Sequence, residues 1–193
     1  MSAPLTRDEI IQNLGPLAGL AGTWEGTKGN DAAPDDNRTG TEKNLYRERI
    51  VFEPMGPINN HEQTLFGLKY STTAWRIGED SAFHEELGYW LWDPKEKQVM
   101  KSFLVPRGIS VLAGGTAEPN AKTFEMTADL ASPTYGLCSN RFLDKEFKTV
   151  RYVLKITLHD GNSFTYESDT QIQIKGQTSL FHHTDQNLMK RVS

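Results

Sequence analysis

Period-two alternation dominates the chain. Residues 151–158, RYVLKITL, put Tyr152, Leu154, Ile156 and Leu158 on one face and Arg151, Lys155 and Thr157 on the other, with Val153 out of phase. The loop His159-Asp160-Gly161-Asn162 is a hairpin signal. The alternation resumes in SFTYESDTQIQI, where Phe164, Tyr166, Ile172 and Ile174 oppose Thr165, Glu167, Asp169, Gln171 and Gln173. Similar segments fall at about 22–28, 44–53, 62–76, 84–92, 98–105, 108–116, 122–130 and 179–191. Asp93-Pro94-Lys95-Glu96-Lys97 marks a further turn. The pattern predicts roughly ten strands joined mostly by short turns.

Helical signals are few. Thr6 followed by Glu9 reads as a capping box, with Ile10, Ile11 and Leu14 as an apolar stripe and Gly15-Pro16 as the stop. A second short helix is predicted around Asn140 to Phe147. Residues 29–43, GNDAAPDDNRTGTEK, read as a polar, acidic, mobile loop.

An antiparallel meander of this size closes as a sandwich or as an up-and-down barrel, and only closure removes exposed edges. Barrels of eight or more strands can enclose a small ligand. Ser168 and Thr170 follow Phe164 and Tyr166 on one face, which suits a cavity wall better than a dry core. The predicted fold class is all-β: an antiparallel up-and-down barrel of about ten strands with a short N-terminal helix, forming one domain over residues 1–193.

Composition narrows the function classes. The formal charge is −4 and no basic run exceeds Lys190-Arg191, which argues against nucleic acid as a partner. Met1 to Asn13 is too polar for a signal peptide, and no apolar run approaches a membrane span. Cys138 is the single cysteine, so an internal disulfide is excluded and a reducing, cytoplasmic home is expected. Cys138 itself reads as a lone buried thiol. P-loop, GxGxxG and GxSxG signatures are absent. His84-Glu85-Glu86-Leu87-Gly88 begins like a zinc-protease helix, but the second histidine would fall at Gly88 and the stretch reads as a strand.

The candidate chemistry lies in SLFHHTDQNLMKRV, residues 179–192. On a strand His183 shares a face with Phe181 and Asp185, and His182 shares the other with Leu180 and Thr184. An inward imidazole in an apolar cavity can ligate a metal through one nitrogen while a hydrogen bond fixes the other. Haem iron needs one such histidine and a large dry slot. The plainer reading makes one imidazole a satisfied core residue and the other a solvated one. Trp24, Trp75, Trp90 and Trp92 with Tyr89 either line a cavity or close the barrel ends. Since Tyr89 and Leu91 share one face and Trp90 and Trp92 the other, one pair is expected outside.

Several segments carry a resemblance. Leu20-Ala21-Gly22-Thr23-Trp24-Glu25-Gly26 is similar to the GxWxG opening of calycin barrels, the group containing lipocalins and fatty-acid-binding proteins. Tyr46-Arg47-Glu48-Arg49-Ile50 with Phe52-Glu53-Pro54 resembles the second strand of the nitrobindin family. His84 to Tyr89 resembles that family's histidine-containing strand. Val105-Pro106-Arg107-Gly108 leading to Gly114-Gly115-Thr116 resembles its central hairpin. His182-His183 followed by Leu188 and Lys190-Arg191-Val192 resembles its C-terminal histidine strand. There are departures. Lys28 stands where a third glycine is usual, extra length falls in 29–43 and 54–83, and Thr184-Asp185-Gln186-Asn187 is more polar than the usual continuation.

The resemblance implies ferric haem b held by one histidine of the last strand, with His183 as the iron ligand and His182 second. It implies a small-molecule ligand, with reversible nitric oxide binding and, in some members of the family, isomerisation of peroxynitrite to nitrate. Trp24 would form the cavity base and Phe181 would flank the ligand. The alternative is a carrier of a small hydrophobic molecule without haem, which would need an inward cation; Arg47, Arg49, Arg107 and Arg151 are the candidates. A third reading is a barrel acting through its surface as a homodimer, which exposed Trp90 or Trp92 would favour.

Overall fold

A computed structural model describes residues 4–159 and 161–193. Asp160 of the predicted hairpin loop and the first three residues of the polar N-terminal stretch lie outside the described residues. The strands are β1 (Gly22–Pro34), β2 (Thr41–Asn60), β3 (Gln63–Arg76), β4 (Ala82–Asp93), β5 (Gln98–Val105), β6 (Ile109–Thr116), β7 (Thr123–Asp129), β8 (Leu137–Ser139), β9 (Phe147–Leu158), β10 (Ser163–Ile174) and β11 (Phe181–Arg191). Ten of them close an antiparallel barrel in the order β1-β2-β3-β4-β5-β6-β7-β9-β10-β11, with β11 returning to β1. The three-residue β8 adds to β6 beside β7. The ten-stranded barrel expected from alternation is therefore the architecture found.

One expectation about a loop is corrected. Residues 29–34 continue β1 and 41–43 begin β2, which leaves only 35–40 as a loop. Gly, Asp and Pro suggested a loop here, but cross-strand pairing overrides local propensity. The strand expected at 62–76 is found as β3, and with 54–60 of β2 it forms a long hairpin that takes up the extra length there.

The capping box is real. The Thr6 side chain accepts the Glu9 N–H at 3.3 Å, and Glu9 Oε2 accepts the Thr6 N–H at 2.7 Å. Helix α1 (Arg7–Gln12) stops before Gly15, and a 3-10 helix (Gly15–Leu20) follows. Leu14, Leu17 and Leu20 are fully buried across one barrel end. Trp24 fills that end. Its Nε1 donates to the Leu20 carbonyl at 2.7 Å, and its ring meets Phe164 edge-on with centroids 4.9 Å apart. Arg191 lies over the indole, 4.2 Å from the ring centre, and donates to the Gly19 and Ala21 carbonyls. One cation thus ties the last strand to the helical plug. Helix α2 (Arg141–Glu146) is capped by Asn140, which accepts from the Phe142 and Leu143 N–H groups at 2.9 and 3.0 Å.

The glycines of the opening strand are close-approach positions. A Cβ on Gly26 would sit 2.5 Å from Asn187 Nδ2, and one on Gly29 would meet the Tyr46 ring at 2.3 Å. A bulge between Gly26 and Gly29 shifts the register. Trp24 and Gly26 face inward before it; Gly29 and Asp31 face inward after it. Gly29 therefore does the work expected of a glycine at position 28.

Trp90 and Trp92 are buried and Tyr89 is half-exposed on the outer face, so neither tryptophan supplies the exposed surface that would favour a homodimer. Trp75 lies outside under the Arg47 guanidinium, 4.4 Å away. Cys138, in the middle of the short β8, is exposed and not buried. None of the four arginines proposed for a carrier points into the barrel. Arg47 covers Trp75, Arg49 pairs with Glu25, Arg151 pairs with Asp129, and Arg107 is exposed in the β5–β6 turn. No helix among the described residues is long and apolar enough to cross a membrane.

Candidate functional site

The barrel interior changes character along its axis. At the plugged end it is aromatic and aliphatic: Trp24, Phe52, Leu68, Trp92, Phe164 and Met189. Toward the other end the same strands turn polar. Strand β2 passes from Phe52 and Ile50 to Glu48, Tyr46 and Asn44, and β11 passes from Met189 to Asn187, Asp185 and His183.

His183 lies on the inner face of β11 with Phe181, Asp185, Asn187 and Met189; His182 lies outside. The side chain of His182 is 57% exposed and its Nδ1 is 2.8 Å from Asp169. His183 Nε2 is 2.6 Å from Oδ1 of Asp31, and its Nδ1 has no hydrogen-bond partner among the described residues. Asp31 is buried and its other oxygen accepts from Asn44 Nδ2 at 2.9 Å. Asn44 in turn accepts from Arg76 Nε at 2.8 Å. Burial pushes the Asp31 carboxyl up, but the hydrogen bonds from His183 and Asn44 outweigh it and hold the group below its usual range.

Below this sits a chain of phenols between carboxylates. Tyr46 contacts Asp185, Tyr46 Oη is 2.6 Å from Tyr166 Oη, and Tyr166 Oη is 2.8 Å from Glu48 Oε2. Thr72 and Asn187 also donate to Glu48. Three contacts in this chain share only two phenolic hydrogens, so a third must come from a carboxyl group. Burial agrees with that count. It raises Glu48 despite three donors, and burial together with the Glu48 charge pushes Asp185 up to about 7.

A second cluster is ionised. Lys101 Nζ is 2.9 Å from Glu86 Oε2 and 3.1 Å from the Tyr152 hydroxyl, and it sits 3.9 Å from the Phe103 ring centre. Tyr70 donates to Glu86 at 2.8 Å, and His84 approaches it at 3.3 Å. Burial alone would neutralise both partners, but their mutual attraction outweighs it. Glu86 is held far below, and Lys101 above, the ordinary value.

The wall opens beside this pair. Strands β4 and β5 pair only from Leu87–Leu104 onward, so among the described residues no strand pairs with 82–86 of β4 on that side. A cavity of about 730 Å³ lies there, lined by Thr72, Glu86, Leu87, Leu104, Val105 and Ile109 among others. Its lining does not include His183, which stands on β11 across the barrel.

The candidate residues do not all converge. Phe181 shares the His183 face, one inward step away. Trp24 does not. Its register partner on β11 is Arg191, eight residues from His183, roughly 26 Å along a strand. Asp31, Asn44, Arg76, Glu48, Glu86 and Lys101 were not singled out from the sequence. A usable signal existed for two of them. Lys101 is in phase with the apolar Val99 and Phe103, and Glu48 is in phase with Ile50 and Phe52.

Residues 13–191 match the profile of the THAP4-like, heme-binding beta-barrel domain. The crystal structure of Rv2717c from M. tuberculosis is similar with a TM-score of 0.62 at 20% identity, over 94% of this chain and 97% of that one. That likeness shows the shared barrel. No curated protein matches the chain closely enough to count as a relative.

Proposed function

Because the chain belongs to the THAP4-like, haem-binding β-barrel domain family, whose cofactor is haem, we propose that His183 is its iron ligand and that the protein handles nitric oxide or peroxynitrite. The observation that carries this reading is the inward imidazole of β11, with one nitrogen held by a buried carboxylate and the other unpartnered. An inward imidazole oriented by a carboxylate is the kind of residue that would hold haem iron. His182 points outward to Asp169 and is a poor candidate.

Haem b, if held there, would supply a Lewis-acidic iron for chemistry on nitric oxide or peroxynitrite. The chain's own part is to orient His183 through Asp31 and to keep the surrounding tyrosines protonated. Burial raises both Tyr46 and Tyr166 far above the ordinary phenol value, so they stay hydrogen-bond donors at any physiological pH. Peroxynitrite isomerisation is the activity this arrangement would support. The test is haem titration of the purified protein, His183→Ala and His182→Ala, followed in the visible spectrum. A saturable Soret shift in the parent and in His182→Ala, absent in His183→Ala, is expected. Haem binding by His183→Ala equal to the parent would overturn the assignment.

One observation favours a second reading. The apolar-lined cavity of about 730 Å³ is in the size range of small-molecule sites and does not include His183. Its lining includes no Lys or Arg, and the Glu86 carboxylate that it does include is already paired with Lys101, so an uncharged apolar molecule suits it better than a carboxylate. Mass spectrometry of ligand extracted from denatured protein separates this carrier from a haem protein.

A further inference from the structure

Resting on the carrier reading of the β4–β5 cavity, we propose that its ligand is an apolar molecule ending in a hydroxyl group, and that the Glu86 carboxylate accepts the hydroxyl hydrogen. The cavity of about 730 Å³ lies where β4 and β5 part. The first register pair there is Leu87–Leu104, two exposed leucines facing each other across the gap. Val105, Pro106 and Ile109 continue the apolar wall. Among the described residues, the charged ones in the lining are Glu85 and Glu86. Glu85 is exposed, whereas the Glu86 side chain is only 13% exposed. An apolar enclosure with one sheltered polar group selects a molecule with one polar end.

Glu86 has acceptor capacity to spare. An ionised carboxylate offers about four lone-pair sites. Oε2 accepts from Tyr70 at 2.8 Å and from Lys101 Nζ at 2.9 Å. Among the described residues, Oε1 has only His84 Nε2, 3.3 Å away. One site on Oε1 is therefore open to a donor. Burial alone would raise Glu86, but the Lys101 charge outweighs it and keeps the group ionised, so it stays an acceptor. Two other polar side chains of the lining are committed elsewhere. Thr72 donates to Glu48, and Asn140 donates to the Arg107 carbonyl while accepting from Phe142 and Leu143. A carboxylate ligand would bring a third anion beside Glu85 and Glu86, with no cation in the lining to meet it. An ammonium would have to share Glu86 with Lys101. An ether or a hydrocarbon fits the wall but brings no donor. A hydroxyl meets both demands.

Displacement of Nile red, an uncharged apolar dye, tests this with 1-decanol, 1-methoxydecane and decanoate at neutral pH. The alcohol should displace the dye at a concentration about 10-fold or more below the ether, although the ether is the more apolar molecule, because a hydrogen bond to a charged acceptor is worth that much. Decanoate should be weakest. Glu86→Gln combined with Lys101→Met removes both charges and puts an amide N–H₂ in place of an acceptor-only group, so the preference for alcohol over decanoate should shrink. Circular dichroism checks its fold, and the series in the parent decides alone if that variant does not fold. Two further readings locate the ligand. Ile109→Trp should abolish dye binding by filling the cavity. Cys138 lines the cavity and is the single cysteine, so occupancy should slow its reaction with dithiobis(nitrobenzoate) in the parent. If the dye binds and protects Cys138 but the alcohol is no better than the ether, this inference fails and the carrier reading stands. If the dye does not bind, or binds without protecting Cys138 and equally well in Ile109→Trp, the carrier reading fails and takes this inference with it.

Discussion

The plugged end and the open end of the barrel are built from the same strands and obey opposite rules. At the plugged end, apolar burial and edge-on aromatic contacts fill the interior, with the Arg191 guanidinium lying over the Trp24 ring. At the open end, the inner face carries Asp31, Glu48, Glu86, Lys101, Asp185 and His183, each buried or half-buried and each with a partner. Such groups stabilise a fold only when all of them are satisfied. Their retention along half of the barrel's axis marks that half as the working part. The plugged half is what allows it, since Trp24, Arg191 and the 3-10 helix fix the strands independently of the polar interior.

The sharpest way to break this comparison is to strand a charge. Lys101→Met removes the ammonium paired with Glu86 and leaves a largely buried carboxylate at the cavity wall, against Tyr70 and His84. A loss of about 3–5 kcal/mol is expected in urea unfolding. Adding Glu86→Gln to Lys101→Met should restore most of it, because the cost lies in the unpaired charge and not in lost packing. If the single variant were as stable as the parent, the polar half would not be under the constraint argued here.

A smaller effect separates the two acid clusters by the sign of their pH dependence. Glu86 is lowered in the folded state, so its contribution is present above the unfolded carboxylate value and lost as the pH falls below it. Glu48 is raised, so its contribution is present below the unfolded value and lost as the pH rises through the folded one. Urea midpoints of Glu86→Gln and Glu48→Gln against the parent, taken from pH 4 to pH 8, should therefore diverge. The deficit of Glu86→Gln should shrink toward the acid end. Glu48→Gln should gain on the parent toward the alkaline end. Parallel curves would mean that the two carboxylates share one environment.

Alternation was enough to read ten strands, the capped helices and the inward face of β11, because each depends on neighbours in sequence. The site was only partly legible, for two physical reasons. Asp31 sits two residues past the Gly26–Gly29 bulge, which reverses the inside and outside positions, so period-two reading places it wrongly and composition makes it a loop. Lys101 and Glu86 are on different strands, and an isolated charge on an apolar face looks like an error until its partner is known. The four candidate arginines illustrate the converse. They were chosen by charge alone, and the register turned all of them outward. Trp24 was chosen by its motif, and that motif specifies the barrel's plug.

The smallest expected difference lies between adjacent histidines. His182 and His183 each contact an aspartate, and their sequence environments are nearly the same. Their settings differ: Asp169 lies under a largely exposed imidazole, whereas Asp31 is buried beneath His183. Removing His182 leaves Asp169 near solvent, and exposed pairs of this kind contribute little. Removing His183 leaves one oxygen of Asp31 without its donor in a site water reaches poorly, and such a group costs about 1–3 kcal/mol. His182→Ala should therefore fall within about 0.5 kcal/mol of the parent in urea unfolding, and His183→Ala should fall clearly below it. The measurement needs no haem, so it probes the Asp31–His183 contact before any cofactor is added. Equal stabilities for the two variants would show that Asp31 is not held by His183 in solution.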